Sequence, residues 1–333
     1  MTAIGATAAA RPQRSTPPLS NRIPGLLLLA AAVVAPFVVD DFRTFELTQI
    51  AIYAIAILGL NLLTGINGQF SLGHGAFFAV GAYATAMLIT HGGVPYPLAI
   101  PLAGLCCFVL GYGFGFPAVK LEGIYLALAT FALAVATPQF LKLSPLEHWT
   151  GGVSGLILDK PEAPFGLPLN PDQWLYFLTV AVGLVLYLLL RNLVSGRTGR
   201  AFRAIKDNQL AARAMGIDVT RTKVLAFGYS ALITGVAGAL SAIVVQFVAP
   251  DSFSFFLSVS LLVGLVVGGV GWLPGAIVGA AFVYYVPTWA EEVSQGMQGA
   301  VYGVLLILVI YIVPRGFGGL VEAVKGFVTK KLD

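Results

Sequence analysis

The chain has 333 residues, of which 58% are hydrophobic and only 10% charged, and its mean hydropathy is +0.88. A water-soluble fold of this size would have to hide more apolar side chain than its geometry permits, so the composition excludes a soluble globular domain and identifies an integral membrane protein. The net charge of +4 does not point to nucleic acid, because there is neither an aromatic-rich basic domain nor a zinc-ligand pattern.

In chain order, residues 1–22 carry Arg11, Arg14 and Arg22 amid Ser, Thr and Pro, and are read as a disordered cytoplasmic lead. A cleaved signal peptide does not fit: the polar part is long, and the next apolar segment ends at Asp40 and Asp41 without a small-residue cleavage pattern. Apolar runs near the ~20 residues that cross a hydrocarbon core are expected at 23–39, 45–63, 69–90, 97–118, 123–142, 173–191, 224–247, 256–273, 275–290 and 299–314. The predicted fold is therefore an all-α, polytopic helical membrane protein of about ten spans. Gly73, Gly75 and Gly81 interrupt the third span, and only Trp272, Leu273 and Pro274 separate the eighth from the ninth.

Charge placement tests this parse, because cytoplasmic loops are enriched in Lys and Arg. With the N-terminus inside, only Arg43, Lys142 and Lys160 of the 19 basic residues fall outside, which leaves 16 inside. The acidic residues lean outward, including Glu147, Asp159, Glu162, Asp172, Asp251, Glu291 and Glu292. Both termini are then cytoplasmic. Cys106 and Cys107 are adjacent within a span, unsuited to a normal disulfide with each other, and carry no redox argument.

The expected organisation is a first transmembrane block at 23–190 containing an outer loop at 143–172, a cytoplasmic region at 191–223, a second block at 224–314 and a tail at 315–333. The outer loop holds Thr150, Gly151, Gly152, Val153 and Ser154, with Glu147, His148, Asp159 and Glu162 as polar contacts. It is either an ordinary connection or a docking surface for an extracytoplasmic partner. Gly65, Gly68, Gly73 and Gly75 are echoed by Gly264, Gly268, Gly269 and Gly271, which leaves a weak internal duplication open.

Glycine density between 59 and 81 costs helix stability but lets backbones approach and lets a helix stop or restart around a cavity. The same stretch carries Asn67, Gln69, Ser71 and His74, polar groups that need partners in another helix, water or a solute. With Gly73, Gly75 and Gly81 they form the candidate pathway or helix-packing set. His74 reads either as a buried histidine bonded to a neighbouring helix or as a solute contact. No metal site is expected, since His91 and His148 fall on the opposite face.

The segment GRAFRAIKDNQLAARAMGIDVTRTK, 199–223, is a basic amphipathic island in an otherwise apolar chain. A short helix is expected to break at Gly216, with Asp218 or Thr220 capping the next span. Ala201, Ile205, Leu210, Ala211, Ala214 and Met215 are expected to supply apolar contact, leaving Arg200, Arg203, Lys206, Asp207 and Arg213 for water or a partner. The element reads either as an inner docking surface or as a lipid anchor. There is no phosphate-binding G-x-x-x-x-G-K-[ST] loop, so any ATP that drives the protein must be bound by another polypeptide. No Ser-His-Asp set or paired carboxylates stand out either, and the chain is not read as an enzyme.

The island resembles the cytoplasmic coupling loop of ABC importer permeases. Across about 50–315 the chain is similar to the LivM branch of the branched-chain amino-acid permease family, through GLNLLTGINGQFSLGHGAFFAVGAYA at 59–84, VKLEGIYLALATFALA at 119–134, TGGVSGL at 150–156, GRAFRAIKDNQLAARAMGI at 199–217 and the run from Gly235 to Ala280. The resemblance implies ATPase-coupling positions at Arg203, Lys206, Asp207, Gln209, Ala211, Ala212, Arg213 and Gly216. Gln209 stands where many relatives carry glutamate, so a salt bridge there is not implied. It also implies a second related permease, two cytoplasmic ABC ATPases that hold ATP and Mg, an extracytoplasmic solute-binding protein, and a bacterial inner-membrane location. No cofactor is expected in this chain. The implied cargo is leucine, isoleucine or valine; urea, short amides and other amino acids are the alternatives, and a secondary transporter or channel is the alternative mechanism.

Overall fold

The computed structural model describes residues 32–121, 123–166 and 168–293, and further along residues 303, 304, 307, 311 and 316–319. The apolar helices are α1 (Asp41–Leu60), α2 (His74–Thr90), α3 (Tyr96–Ala118), α4 (Ile124–Leu141) and α5 (Pro171–Ser195). Two short helices follow, α6 (Arg197–Asp207) and α7 (Gln209–Ala214), and then α8 (Val219–Val245), α9 (Phe255–Gly268) and α10 (Gly275–Val293). Five helical stretches reach spanning length and apolarity: Asp41–Ile66, Tyr96–Ala118, Ile124–Leu141, Pro171–Ser195 and Val219–Val245. Shorter apolar helices run over His74–Thr90, Phe255–Gly268 and Gly275–Trp289. Together these account for the second to ninth expected spans. The first, 23–39, is described only from residue 32, and the tenth lies outside the described residues apart from 303, 304, 307 and 311, as do the lead 1–22 and most of the tail.

The third expected span, 69–90, differs from the structure in an informative way. Its first residues are not helical: α1 runs on as π-helical turns over Asn61–Ile66, the chain then leaves helix, and α2 begins only at His74. This irregular stretch is nonetheless largely enclosed by protein, the condition under which non-helical backbone survives at membrane depth. The eighth span likewise ends at Gly268, before a turn with positive φ at Gly269 and Gly271 (110° and 87°).

α8 is the central element. It packs against α3, α2 and α1, so the first and second sequence blocks share one core. Lipid tails are as apolar as leucine, and helices gain by close approach instead of by hiding apolar surface from a polar solvent. Accordingly, a Cβ at Gly81 of α2 would strike the Gly235 carbonyl of α8, and one at Gly238 would strike the Phe78 carbonyl. α9 and α10 form a hairpin whose glycines meet backbone to backbone, Gly264 with Gly279 and Gly268 with Gly275. The glycine clusters suspected of marking a duplication also meet: a Cβ on Gly65 would lie 2.6 Å from the Gly271 nitrogen.

The ends of the bundle differ. At one, strand β1 (Leu156–Ile157) pairs antiparallel with β2 (Phe247–Val248), Lys142 Nζ meets Asp251 at 2.5 Å and Lys160 Nζ meets Asp172 at 2.6 Å. The expected outer loop is thus stitched to the far end of α8. At the other end lie α6, α7 and the start of α8, where Asp218 Oδ1 accepts from the Arg221 N–H at 2.9 Å as the expected cap.

One tie spans the two blocks near this second end. The Asn61 side chain donates to the Trp272 carbonyl at 3.1 Å and accepts from the Gly271 N–H at 2.8 Å, pinning the α9–α10 turn to the π-helical segment. Asn61→Ala removes both bonds. Because Gly271 is partly reachable by water, the expected cost is about 1–2 kcal/mol, to be read as a lower thermal midpoint of the detergent-solubilised protein.

Candidate functional site

The polar residues of 67–75 are buried in two groups, an Asn67–Gln69 pair and a cluster of Ser71 and His74 that reaches Ser230 of α8. His74 is enclosed, with Nδ1 3.1 Å from Ser71 Oγ and Nε2 2.6 Å from Ser230 Oγ. Ser230 Oγ in turn donates to the Gly59 carbonyl at 2.6 Å. Because that bond uses the Ser230 proton, Ser230 accepts from His74, which assigns the imidazole proton to Nε2 and leaves Nδ1 to accept from Ser71. Both ring nitrogens are therefore bonded to side chains of the protein itself.

The restart of the chain as α2 is held by side chains from other helices. The Leu72 N–H donates to Thr130 Oγ1 of α4 at 2.9 Å, and the Gly75 N–H donates to Ser258 Oγ of α9 at 2.9 Å. The N-terminal N–H groups of a helix have no intrahelical acceptors, and Ser258 supplies one. Gly73 and Gly75 allow this approach: a Cβ on Gly73 would lie 2.9 Å from the Thr130 carbonyl, and one on Gly75 2.6 Å from Ser258 Oγ. Gly81 serves the α2–α8 contact. Asn67 donates to Gln69 Oε1, while Asn67 Oδ1 and Gln69 Nε2 stay buried without a partner among the described residues. Within the seven-residue set, unfilled hydrogen-bonding capacity sits on these two amides.

Asn61, Thr130, Ser230 and Ser258 were not singled out from sequence. Each is a polar residue within an expected span, and that is the signal which could have found them.

The basic island folds as two helices where one was expected before Gly216. The break falls at Asn208, whose Oδ1 accepts from the N–H groups of Leu210 and Ala211 at 2.9 and 3.1 Å and so caps α7. Gly216 follows with φ of +80°. Phe202 and Ile205 are buried, and Ala212 packs with Ile205 and Val219. Of the other apolar residues expected to make contact, Ala201 is half-buried, whereas Leu210 is 75% and Met215 83% exposed, beside exposed Ala211, Arg213, Ala214 and Gly216. Arg203 and Asp207 are exposed as well. Lys206 departs from the free cation expected from sequence, since its Nζ donates to the Gly65 carbonyl at 2.6 Å. Gln209 Oε1 accepts from Lys223 Nζ at 3.0 Å, so a neutral amide meets the lysine there.

Among the described residues no three His, Cys, Asp or Glu side chains are grouped to hold a metal. The arrangement is a helical bundle with an exposed, cation-rimmed apolar tip fastened to its interior.

Comparison with known proteins agrees with this architecture. Residues 43–310 match the family model described as branched-chain amino acid transport system, permease component. The high-affinity branched-chain amino acid transport system permease protein LivM of Salmonella typhimurium is 31% identical over 309 residues, covering 86% of this chain and 72% of that protein. LivM of Escherichia coli is 31% identical over 307 residues, with 85% and 72% covered. The permease protein LivH of Salmonella typhimurium is 24% identical over 290 residues, with 82% and 93% covered. No solved structure matches. The match over most of the chain, with the all-helical apolar bundle, makes this protein a member of the branched-chain amino-acid permease family, a membrane transport subunit and not an enzyme.

Proposed function

We propose that this chain is one of two related permeases in an ATP-driven importer of leucine, isoleucine and valine, in the bacterial inner membrane with both termini cytoplasmic. The α6–α7 island carries the reading. Its underside, Phe202 and Ile205, is consumed by the protein itself, so little apolar face is left to lie along lipid. What remains is a compact tip of Leu210 and Met215 rimmed by Arg213, a surface suited to a groove on a soluble partner. That partner is a cytoplasmic ABC ATPase, one for each permease, which holds the ATP and Mg. Arg203, Asp207, Ala211, Arg213 and Gly216 border the contact, while Lys206, Gln209 and Ala212 fasten the tip to the bundle. The domain boundaries follow from this division: transmembrane blocks at 23–190 and 224–314 around a coupling region at 191–223.

On the outer face, the loop at 143–172 receives a solute-binding protein. Asn67 and Gln69, near the coupling end, offer polar contacts toward the end of the path. Cargo follows the relatives' transport of branched-chain amino acids.

The test is reconstitution with a candidate second permease, ATPases and binding protein, followed by uptake of leucine, isoleucine, valine and urea into vesicles. Branched-chain uptake that stops without ATP is expected. Urea-only uptake would replace the cargo, and equal uptake without ATP would overturn the ATP-driven mechanism.

A further inference from the structure

At the end of the bundle opposite α6 and α7 lies a cleft of about 300 Å³ between α1, α2, α8, α9 and α10, also walled by the β2 segment. Its apolar wall includes Phe45, Phe78, Phe253 and Leu257. Its polar groups are Gln49, Tyr53, Ser241, Ser252 and Tyr284. None of these five side chains hydrogen-bonds to a described residue, although Gln49 is only 7% exposed. The amide of Gln49 is thus left to the occupant of the cleft, a space of ligand size walled by apolar side chains with a few polar groups facing inward. The polar cluster around His74 differs: its serines and ring nitrogens are closed on one another.

The lining also constrains the ligand. No lining residue carries a formal charge, and the neighbouring Glu46 carboxylate is held by Arg43 Nη1 at 2.9 Å. A solute with net charge would enter this low-dielectric wall without a counter-charge. A zwitterion is net neutral, and the Gln49 amide can accept from an ammonium and donate to a carboxylate, with the Ser and Tyr hydroxyls able to do either. The aromatic wall leaves room for a compact aliphatic side chain.

We infer that this cleft is the acceptor site for solute on the binding-protein side of the membrane, taking a net-neutral amino acid with a short aliphatic side chain through Gln49, Tyr53 and Tyr284. The inference rests on the importer reading above and adds to it a position and a specificity. It assigns Gln49 to the polar head of the solute and Phe45, Phe78 and Phe253 to the side chain.

The complete reconstituted importer tests it. Gln49→Leu keeps a similar volume and removes the amide; the KM for leucine uptake is expected to rise about tenfold, and Tyr284→Phe, which loses one hydroxyl and keeps the wall, to raise it about threefold. In a Cys106→Ser background, Ser252→Cys is expected to react with a membrane-impermeant maleimide added outside, and more slowly when leucine-loaded binding protein is present. Should Gln49→Leu fail to assemble, Tyr284→Phe and the labelling carry the test. Unchanged KM in the variants that assemble, with labelling indifferent to leucine, would overturn the site. Protection by urea and not by leucine would overturn the assigned ligand class. A wild-type assembly that takes up no leucine would overturn the importer reading instead, so the two failures are separable.

Discussion

Gly81→Val is expected to abolish stable packing of α2 on α8, and transport with it. The added carbon would overlap the Gly235 carbonyl oxygen, while one helical turn away Gly238 already lies against the Phe78 carbonyl. Both obstacles are backbone, so no rotamer change relieves them and the two helices must part along their contact. Overpacking that side chains can absorb costs about 1–3 kcal/mol, and a clash with a central helix backbone belongs at or above the upper figure. Thermal unfolding in detergent, with chromatographic dispersity as a second readout, checks this. Gly113→Ala in α3 is the matched control, because a Cβ there meets nothing within 4 Å and the change is expected to be neutral or slightly stabilising. Equal stability of Gly81→Val and wild type would mean that α2 and α8 do not touch as described.

Lys206→Met is expected to uncouple ATP hydrolysis from uptake. The Lys206 amine donates at 2.6 Å to the carbonyl of Gly65, where α1 ends in π-helical turns and the chain leaves helix, so the carbonyl loses its regular helical donor. A hydrogen bond from a charged donor contributes about 1.5–3 kcal/mol, and this one links α6 to the segment that Asn61 ties to the α9–α10 turn. Without it, displacement of α6 has a weaker route into the bundle. Methionine keeps most of the stem that packs near Gly68. Uptake is expected to fall at least about tenfold while the ATPase still copurifies, with partial recovery in Lys206→Arg. Loss of copurification would show that Lys206 acts on the ATPase directly, and normal uptake would remove it from the coupling path.

Lys206 also shows where reading the sequence reached and where it stopped. Its place on a basic island was legible, because a run of cations in an apolar chain stands out by composition alone. Its inward turn was not, because the acceptor is a backbone carbonyl 141 positions earlier that carries no residue-specific signature. Leu210 and Met215 teach the converse: by residue type they belong against an apolar surface, yet the break at Asn208 swings them outward. His74 was legible as a polar residue needing a partner, and Ser230, 156 positions away, became its partner only through the α2–α8 crossing.

Gln49 and Tyr284 were silent in the sequence for a related reason. Each is one polar or amphipathic side chain in a long apolar run, and they meet only when α1 and α10 pack. What the amino-acid sequence determined by itself was membrane residence, helicity, the approximate depth of most spans and the existence of a basic polar island. All of these follow from transfer free energy summed along a window of chain. The tertiary structure alone decided which polar group meets which, where α2 restarts, and that a cleft opens away from the island. In lipid, every face of a helix can be apolar, so hydropathy sets how deep a residue lies but not which neighbour it faces; that is chosen by the close approach of small residues and by the need to satisfy each buried polar group.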